Sequence, residues 1–214
     1  VIGPNADSIY NQMGDYTPPI LKETGITLLQ GISNEAGGKL TVKYAKGCDI
    51  FSSNSKELRN AYNLAEKADI VILALGGSSS RFGGASFDKN GAAVLCDKQQ
   101  MDCGEGMDCA DLSISQPQME LANAVFKTKT PVITVMIQGR PYAIPEISEK
   151  TNALICAFYP GPLGGRAIAE IIFGKCPPSG RLPVSIPRST GQIPVYYNYK
   201  SSYNAMNYID EKNT

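Results

Sequence analysis

The chain has 214 residues, of which 43% are hydrophobic and 19% are charged, enough for one α/β domain with its own core. The formal net charge is zero and the lysine and arginine residues are scattered, which argues against nucleic acid or an anionic membrane as a partner. The longest apolar runs, residues 70–75 and 131–137, are far shorter than the roughly 20 residues that cross a bilayer, so no transmembrane helix is predicted.

The first half of the chain predicts strands of a parallel sheet. In order, we expect a buried strand end at 1–2, one or two helical turns at 27–32, a strand of alternating polarity at 40–45, a helix at 56–68 capped by Asn54 or Ser55, and a strand at 69–77. The last strand is apolar on both faces, which is typical of a parallel sheet covered on both sides. Ligands bind such sheets at the carboxyl ends of the strands.

The second half begins with a long excursion from Gly76 to about Asp111, in which little regular structure is predicted. A loop of that length inside a domain is more often functional than idle. Further elements are expected as a helix at 116–127, a strand at 132–137, a short helix at 145–149, a strand at 153–158 and a helix at 163–173. This alternation predicts a three-layer α/β sandwich with a mostly parallel sheet.

The absence of histidine excludes any mechanism within this chain that needs an imidazole base, so carboxylates remain as acid/base groups. Four of them lie within residues 101–111, where two glycines flank Glu105. A glutamate works as a general acid near neutral pH when burial or a neighbouring negative charge raises its pKa, and Asp102 and Asp108 are each three residues away. The alternative is a solvated acidic turn or an incidental cation site.

The six cysteines form no Cys-x-x-Cys pair and have no histidine to complete a zinc site, so no metal or cofactor is predicted. We expect Cys48 and Cys156 to be small core residues. Cys103 and Cys109 flank Glu105 and could form a disulfide, but free thiols are favoured.

Each of the other motifs has a structural interpretation beside a functional one. The run from Gly76 to Ser80 lacks the spacing of a phosphate loop, which argues against nucleotide binding. Four arginines could hold sugar hydroxyls, but structural ion pairs or turn contacts are the better interpretation of each alone: Arg81, Arg140, Arg166 and Arg181. Aromatic pairs could stack on sugar rings, although packing is commoner: Phe158-Tyr159 and Tyr196-Tyr197.

A series of motifs resembles the second, α/β-sandwich domain of family 3 glycoside hydrolases, closest to the β-glucosidase and β-xylosidase branch. The motifs occur in order over nearly the whole chain: residues 1–7 (VIGPNAD), 14–16 (GDY), 45–49 (AKGCD), 102–106 (DCGEG), 138–141 (QGRP), 158–161 (FYPG), 164–165 (GG), 178–183 (PSGRLP) and 191–198 (GQIPVYYN). The chain departs from the usual family pattern at Asp108-Cys109, where relatives usually have Asp-Arg.

The resemblance implies a retaining, exo-acting β-glycosidase acting on an oligosaccharide or glycoside. The family's nucleophilic aspartate lies on a preceding barrel domain, and Glu105 falls on the acid/base position of the sandwich domain. Arg81 and Asp102 are predicted as supporting, substrate-binding residues. Without the barrel domain, the chain is expected to be inactive. The competing hypothesis is a noncatalytic carbohydrate-binding or structural module derived from the same fold.

For domain organisation we expect a sandwich domain at residues 1–200, and at 201–214 a tail or the start of a linker to a further domain. The chain opens on Val1 without an initiator methionine, which we interpret as a cut in a longer protein. The compartment stays open, with a secreted or periplasmic location favoured over the cytoplasm.

Overall fold

The computed structural model describes residues 1–18, 22–79, 86–87, 89–90, 93–94, 101–104 and 106–198. Its helices are α1 (Ile9–Met13), α2 (Leu28–Ala36), α3 (Ser55–Glu66), α4 (Gln116–Phe126), α5 (Pro145–Lys150) and α6 (Gly164–Ile172). Its strands are β1 (Val71–Gly76), β2 (Ser86–Phe87), β3 (Ala93–Val94), β4 (Val132–Ile137) and β5 (Ala153–Phe158). Short 3₁₀ helices occur at Lys22–Thr24 and Thr190–Gln192.

The central sheet is parallel, with β4 between β1 and β5. Val71 lies opposite Val132 at one end of the β1–β4 ladder, and Gly76 lies opposite Ile137 at the other. Ile2 extends the sheet beyond β1 through an isolated parallel bridge. Strands β2 and β3 form a separate antiparallel pair. The predicted parallel sheet is confirmed.

Helices cover both faces of this sheet. Side chains of a strand alternate between the two faces, so strands that are apolar throughout present an apolar surface on each side. On one face Leu73, Leu75 and Met136 pack with residues of α3 and α4 such as Ala61 and Leu121. On the other face, the residues from the strands and from α2 and α6 are Ile72, Ala74, Val135, Ile137, Leu28, Ile32, Ile168 and Ala169. The three-layer sandwich predicted from the sequence is therefore confirmed.

Helices α2 and α6 approach each other closely at two glycines. A Cβ atom on Gly31 would lie 2.1 Å from the carbonyl oxygen of Gly165, and one on Gly165 would lie 2.1 Å from that of Thr27. Thr27 also caps α2, since its side chain and that of Gln30 form a reciprocal capping box. The glycines thus allow a contact that any larger residue would prevent.

The strand predicted at 40–45 is not formed. Only Ala45 pairs with the sheet, through an isolated bridge to Ile2, and most of residues 40–44 are exposed. Its backbone contacts with the first residues are Ala45 N–H donating to the Val1 carbonyl, Gly3 N–H donating to the Ala45 carbonyl, and the Val1 amino group donating to the Lys43 carbonyl at 2.8 Å. Of the apolar residues before Ala45, Val42 is partly buried against the core, whereas Leu40 and Tyr44 are exposed.

Helix α3 begins after Asn54, whose side chain accepts a hydrogen bond from the Glu57 N–H, which selects one of the two predicted caps. With 12 residues, α3 is the longest helix in the described part of the chain. Within these residues no helix has the length and apolar character needed to cross a membrane.

Candidate functional site

The carboxyl ends of β1 and β4 are joined by a buried amide. Asn5 is fully buried, and its Nδ2 donates to the carbonyl oxygens of Gly77 at 3.1 Å and Ile137 at 3.0 Å. Asn11 Nδ2 donates to Asn5 Oδ1 at 2.6 Å, and Ser78 Oγ donates to Asn11 Oδ1 at 2.8 Å. Both strand ends are therefore held in one polar network.

A second buried amide completes the end of β1. The side chain of Gln118, on α4, donates from Nε2 to the Gly76 carbonyl at 2.7 Å and accepts from the Gly76 N–H through Oε1 at 2.9 Å. These bonds satisfy backbone groups that the ladder leaves unpaired where β1 ends. Both backbone groups of Gly76 therefore have a hydrogen-bond partner at this edge.

The segment that leads to Glu105 is attached to this edge through Asp102. The Asp102 N–H donates to the Ser78 carbonyl at 2.9 Å, and the Ser78 N–H donates to Asp102 Oδ1 at 2.8 Å. The Tyr142 hydroxyl donates to Asp102 Oδ2. Asp102 is only 8% exposed. Both oxygens of this buried carboxylate therefore have hydrogen-bond partners, as buried polar groups require.

The neighbouring residues add further attachments. Cys103 Sγ lies 3.0 Å from the Tyr159 hydroxyl, just beyond β5. On the far side of Glu105, the Met107 carbonyl accepts a hydrogen bond of 2.8 Å from Arg140 Nη2. Cys109 Sγ donates to the Asp102 carbonyl at 3.5 Å, a weak contact that closes the loop on itself.

The two glycines beside Glu105 have backbone conformations that favour glycine. Gly104 has φ +119° and Gly106 has φ +76°. A Cβ on Gly104 would also lie 2.7 Å from a Met101 side-chain atom. Glu105 itself and Arg81 lie outside the described residues, so the predicted roles of both residues stay predictions.

The titratable groups around Asp102 are held in their neutral forms. Burial, followed by the negative charge of Asp102, raises the pKa of the Tyr142 hydroxyl. The same two causes raise the pKa of the Cys103 thiol to about 12. Burial also raises the pKa of Tyr159. None of these three groups gives up a proton readily near neutral pH.

Other residues singled out from the sequence have structural contacts. Arg166 pairs with Glu170 on the surface of α6 at 2.8 Å, in agreement with the ion-pair interpretation. Tyr197 is an exception, because it is 85% exposed and the packing interpretation is not confirmed for it. The thiols of the described cysteines are free, which agrees with the prediction for Cys103 and Cys109. Among the described residues no three cysteine, aspartate or glutamate side chains form a group suited to a metal ion.

Sequence reasoning missed three residues that build this edge: Asn5, Gln118 and Tyr142. Asn5 and Tyr142 each lie a few residues beyond the end of a strand segment, which is the available signal. Gln118 lies on a helix, and nothing in its local sequence indicates that it reaches a strand end.

Comparison with known proteins agrees with this architecture. The family model described as the glycosyl hydrolase family 3 C-terminal domain matches residues 1–213. The chain belongs to glycosyl hydrolase family 3.

Family 3 proteins with related sequences include a β-xylosidase from Formosa agariphila, 36% identical over 205 residues, and a periplasmic β-glucosidase from Salmonella typhimurium, 34% identical over 202 residues. The matches cover 92% and 93% of this chain but 25% and 26% of those proteins. The chain thus spans about a quarter of the length of these relatives.

Solved structures show the same fold. A β-glucosidase from Erythrobacter marinus matches all of this chain and 29% of its own, with a TM-score of 0.78 and 30% identity. A β-glucosidase from Listeria innocua in complex with isofagomine matches 92% of this chain and 24% of its own, with a TM-score of 0.74 and 28% identity. The domain boundary predicted at residue 200 stays a prediction, because residues 199–214 are outside the described part.

Proposed function

We propose that this chain is the acid/base domain of a retaining, exo-acting β-glycosidase of the β-glucosidase or β-xylosidase type. Glu105 is the acid/base residue, and the nucleophilic aspartate belongs to a barrel domain that precedes this chain. Family membership and the names of the relatives support a glycosidase. The observation that carries the assignment is the loop itself, in which glycines flank Glu105 and anchored residues lie on both sides of it.

The chemistry requires two carboxyl groups. One carboxylate attacks the anomeric carbon, while the other protonates the departing oxygen and later takes a proton from water, and in retaining enzymes the two are roughly 5 to 5.5 Å apart. The described groups around Asp102 are neutral phenols and thiols with raised pKa values, which suits them to holding a loop rather than to exchanging protons. The family resemblance singles out Glu105 from the three aspartates of this loop.

The test replaces Glu105 by glutamine in the protein that contains this chain together with its barrel domain. Hydrolysis of an alkyl β-glucoside or β-xyloside needs protonation of a poor leaving group, so its kcat/KM should fall by about 10²- to 10⁴-fold. Cleavage of a 2,4-dinitrophenyl glycoside needs little protonation, and its kcat/KM should fall much less. Azide is an anion that attacks the glycosyl-enzyme without help from a base. Added to Glu105→Gln with the 2,4-dinitrophenyl glycoside, it should therefore speed turnover and form a glycosyl azide.

Glu146→Gln provides a matched control, because Glu146 lies on α5 and pairs with Lys150 at the surface. Its kinetics with both substrates should equal those of the unmodified protein. If Glu105→Gln leaves hydrolysis of both substrates unchanged, the acid/base assignment is wrong. Unchanged hydrolysis would favour the competing hypothesis of a noncatalytic carbohydrate-binding or structural module.

We also propose that the isolated 214-residue chain has no glycosidase activity, because one carboxylate cannot perform both halves of the reaction. Turnover of an aryl β-glucoside or β-xyloside by the purified chain would contradict this. A secreted or periplasmic location is proposed as well, supported by the periplasmic β-glucosidase among the relatives. Cell fractionation of the source organism tests it.

A further inference from the structure

One short segment after β4 contacts the Glu105 loop on both sides. The Tyr142 hydroxyl donates a hydrogen bond to Oδ2 of Asp102, which lies three residues before Glu105. Arg140 donates from Nη2 to the Met107 carbonyl, two residues after Glu105. Two side chains that are two residues apart in sequence therefore contact both ends of the six-residue span 102–107, which contains Glu105.

The contact on the Asp102 side is buried and directional. Tyr142 is 3% exposed and Asp102 is 8% exposed. A Cβ atom on Gly77 would lie 2.0 Å from the Tyr142 hydroxyl and 2.4 Å from Asp102 Oδ1, so β1 ends directly against this pair. Loss of the hydroxyl would leave a buried carboxylate oxygen without its partner, and such a group moves or draws in water.

The contact on the Met107 side is made to backbone. Because Arg140 donates to a carbonyl oxygen, the bond depends on the path of the chain at Met107 and not on the side chain there. The segment of Arg140 and Tyr142 also follows β4, the central strand, whose carboxyl end Asn5 ties to that of β1. The two side chains therefore follow the central strand of the sheet.

We propose that Arg140 and Tyr142 are positioning residues, which hold the two sides of the loop so that Glu105 reaches the glycosidic oxygen. The inference rests on the proposed function of Glu105. It also gives Asp102 a role in positioning the loop, since its two carboxylate oxygens accept hydrogen bonds from Ser78 and Tyr142. Its predicted role in substrate binding stays a prediction. A general acid must lie within hydrogen-bond reach of its target, and a displacement of about 1 Å can lower the rate about 10²-fold.

The first experiment compares Tyr142→Phe with the unmodified full-length protein on two substrates, an alkyl glycoside and the matching 2,4-dinitrophenyl glycoside. We expect kcat/KM for the alkyl glycoside to fall about 10- to 100-fold, and that for the activated substrate to fall less than about threefold. The ratio of the two values does not depend on the folded fraction, because unfolded protein hydrolyses neither substrate. An unchanged ratio overturns the role of Tyr142.

Tyr62→Phe is the matched control, because it removes a hydroxyl that donates to Glu66 at 3.1 Å on α3, away from the loop. The ratio of the two kcat/KM values should be unchanged in this variant. If it changes as much as in Tyr142→Phe, the loss is a general effect of removing a tyrosine hydroxyl and the inference is wrong.

A double variant tests whether Tyr142 acts through Glu105. If it does, adding Tyr142→Phe to Glu105→Gln should lower alkyl glycoside hydrolysis by less than about twofold beyond the single Glu105→Gln loss. Multiplicative losses would show that Tyr142 acts independently of Glu105 and would overturn the inference. If Glu105→Gln alone has no selective effect, the proposed function fails first, so the two failures are distinguishable.

The Arg140 contact is tested by Arg140→Met and Arg140→Lys. Methionine retains much of the apolar stem but cannot donate to the Met107 carbonyl, so the ratio of the two kcat/KM values should shift as in Tyr142→Phe. Lysine retains a donor and should restore part of the alkyl glycoside rate. An unshifted ratio in Arg140→Met overturns the role of Arg140.

Discussion

Leu73 in the middle of β1 and Asp102 beyond its carboxyl end are both nearly inaccessible to solvent, at 0% and 8% exposure, but different forces hold them. Leu73 packs among apolar side chains of the sheet and of the helices that cover it. Asp102 is held by hydrogen bonds from Ser78 and Tyr142. Burial alone therefore does not distinguish the interior of the sheet from its carboxyl edge.

The contacts in the interior and those at the edge differ in how strongly they depend on direction. Apolar contacts depend on volume and tolerate exchange of one aliphatic residue for another, whereas each hydrogen bond at the edge requires a donor and an acceptor in fixed positions. Substitutions in the interior should lower stability and leave the chemistry intact. Substitutions at the edge should also move the loop that carries Glu105.

The largest effect on stability is expected from Leu73→Ala, because it leaves a cavity in the fully buried centre of the sheet. The free energy of unfolding should fall by about 2–5 kcal/mol, as measured by urea unfolding of the 214-residue chain. Leu40→Ala, at a position that is 60% exposed, should change it by less than about 0.5 kcal/mol. In the full-length protein, the kcat/KM ratio for the two glycosides should be unchanged in Leu73→Ala; a change would erase the distinction between interior and edge.

The next prediction compares the same substitution, glutamine to methionine, at two buried positions of the edge, Gln118 and Gln138. Gln118→Met removes both hydrogen bonds to Gly76 and leaves its N–H and carbonyl buried without partners, so the free energy of unfolding should fall by about 2–4 kcal/mol. Gln138 is equally buried, but among the described residues its amide has no hydrogen-bond partner at either end.

Gln138→Met should therefore lower the free energy of unfolding by less than about 1 kcal/mol, because the substitution breaks no hydrogen bond between described residues. Urea unfolding of the two variants side by side measures the contrast. Equal destabilisation by both substitutions would show that the polar contacts of the edge are not what distinguishes it.

The smallest expected effect is a loss of stability at high pH, to which one cysteine of the interior and one of the edge should both contribute. Burial raises the pKa of both Cys48, in the interior, and Cys103, at the edge, from 9.0 to about 12. Between these values the unfolded chain loses thiol protons that the folded chain retains, so stability is full below about pH 9 and declines as pH rises towards 12.

Each thiol should lower the free energy of unfolding by about 1 kcal/mol between pH 8 and pH 10. Cys48→Ala and Cys103→Ala should each remove that part of the decline in urea unfolding, whereas Cys176→Ala, at an exposed position, should leave it in place. A decline that neither substitution changes would show that the two thiols ionise as readily in the folded chain as in the unfolded one.

The strands were predictable because their signal is local. Runs of apolar residues between polar and glycine- or proline-containing segments placed β4 and β5 at 132–137 and 153–158, the bounds that the structure has. The pattern at 40–45 failed because only Ala45 forms a bridge, to Ile2, while the apolar residues Leu40 and Tyr44 are exposed. Alternating polarity does not show whether a neighbouring strand pairs with the segment.

The site was predictable only in part. Two flanking glycines and the family resemblance single out Glu105, and the positive φ angles of Gly104 and Gly106 agree with the need for glycine there. Tyr142 and Gln118 were not predictable, since their partners lie 40 and 42 residues away in sequence. A tyrosine after Gly-Arg-Pro is an ordinary residue until the fold brings Asp102 to its hydroxyl.

The sequence by itself determined the layered α/β architecture, the family and the position of the loop between two strand–helix units. Periodicity, turn residues and motif order are properties of short segments, so they can be read without the fold. Only the tertiary structure decided which side chains hold that loop. The hydrogen bonds of Asp102, Tyr142 and Arg140 join distant segments, and they exist because parallel strands bring their carboxyl ends to one edge of the sheet.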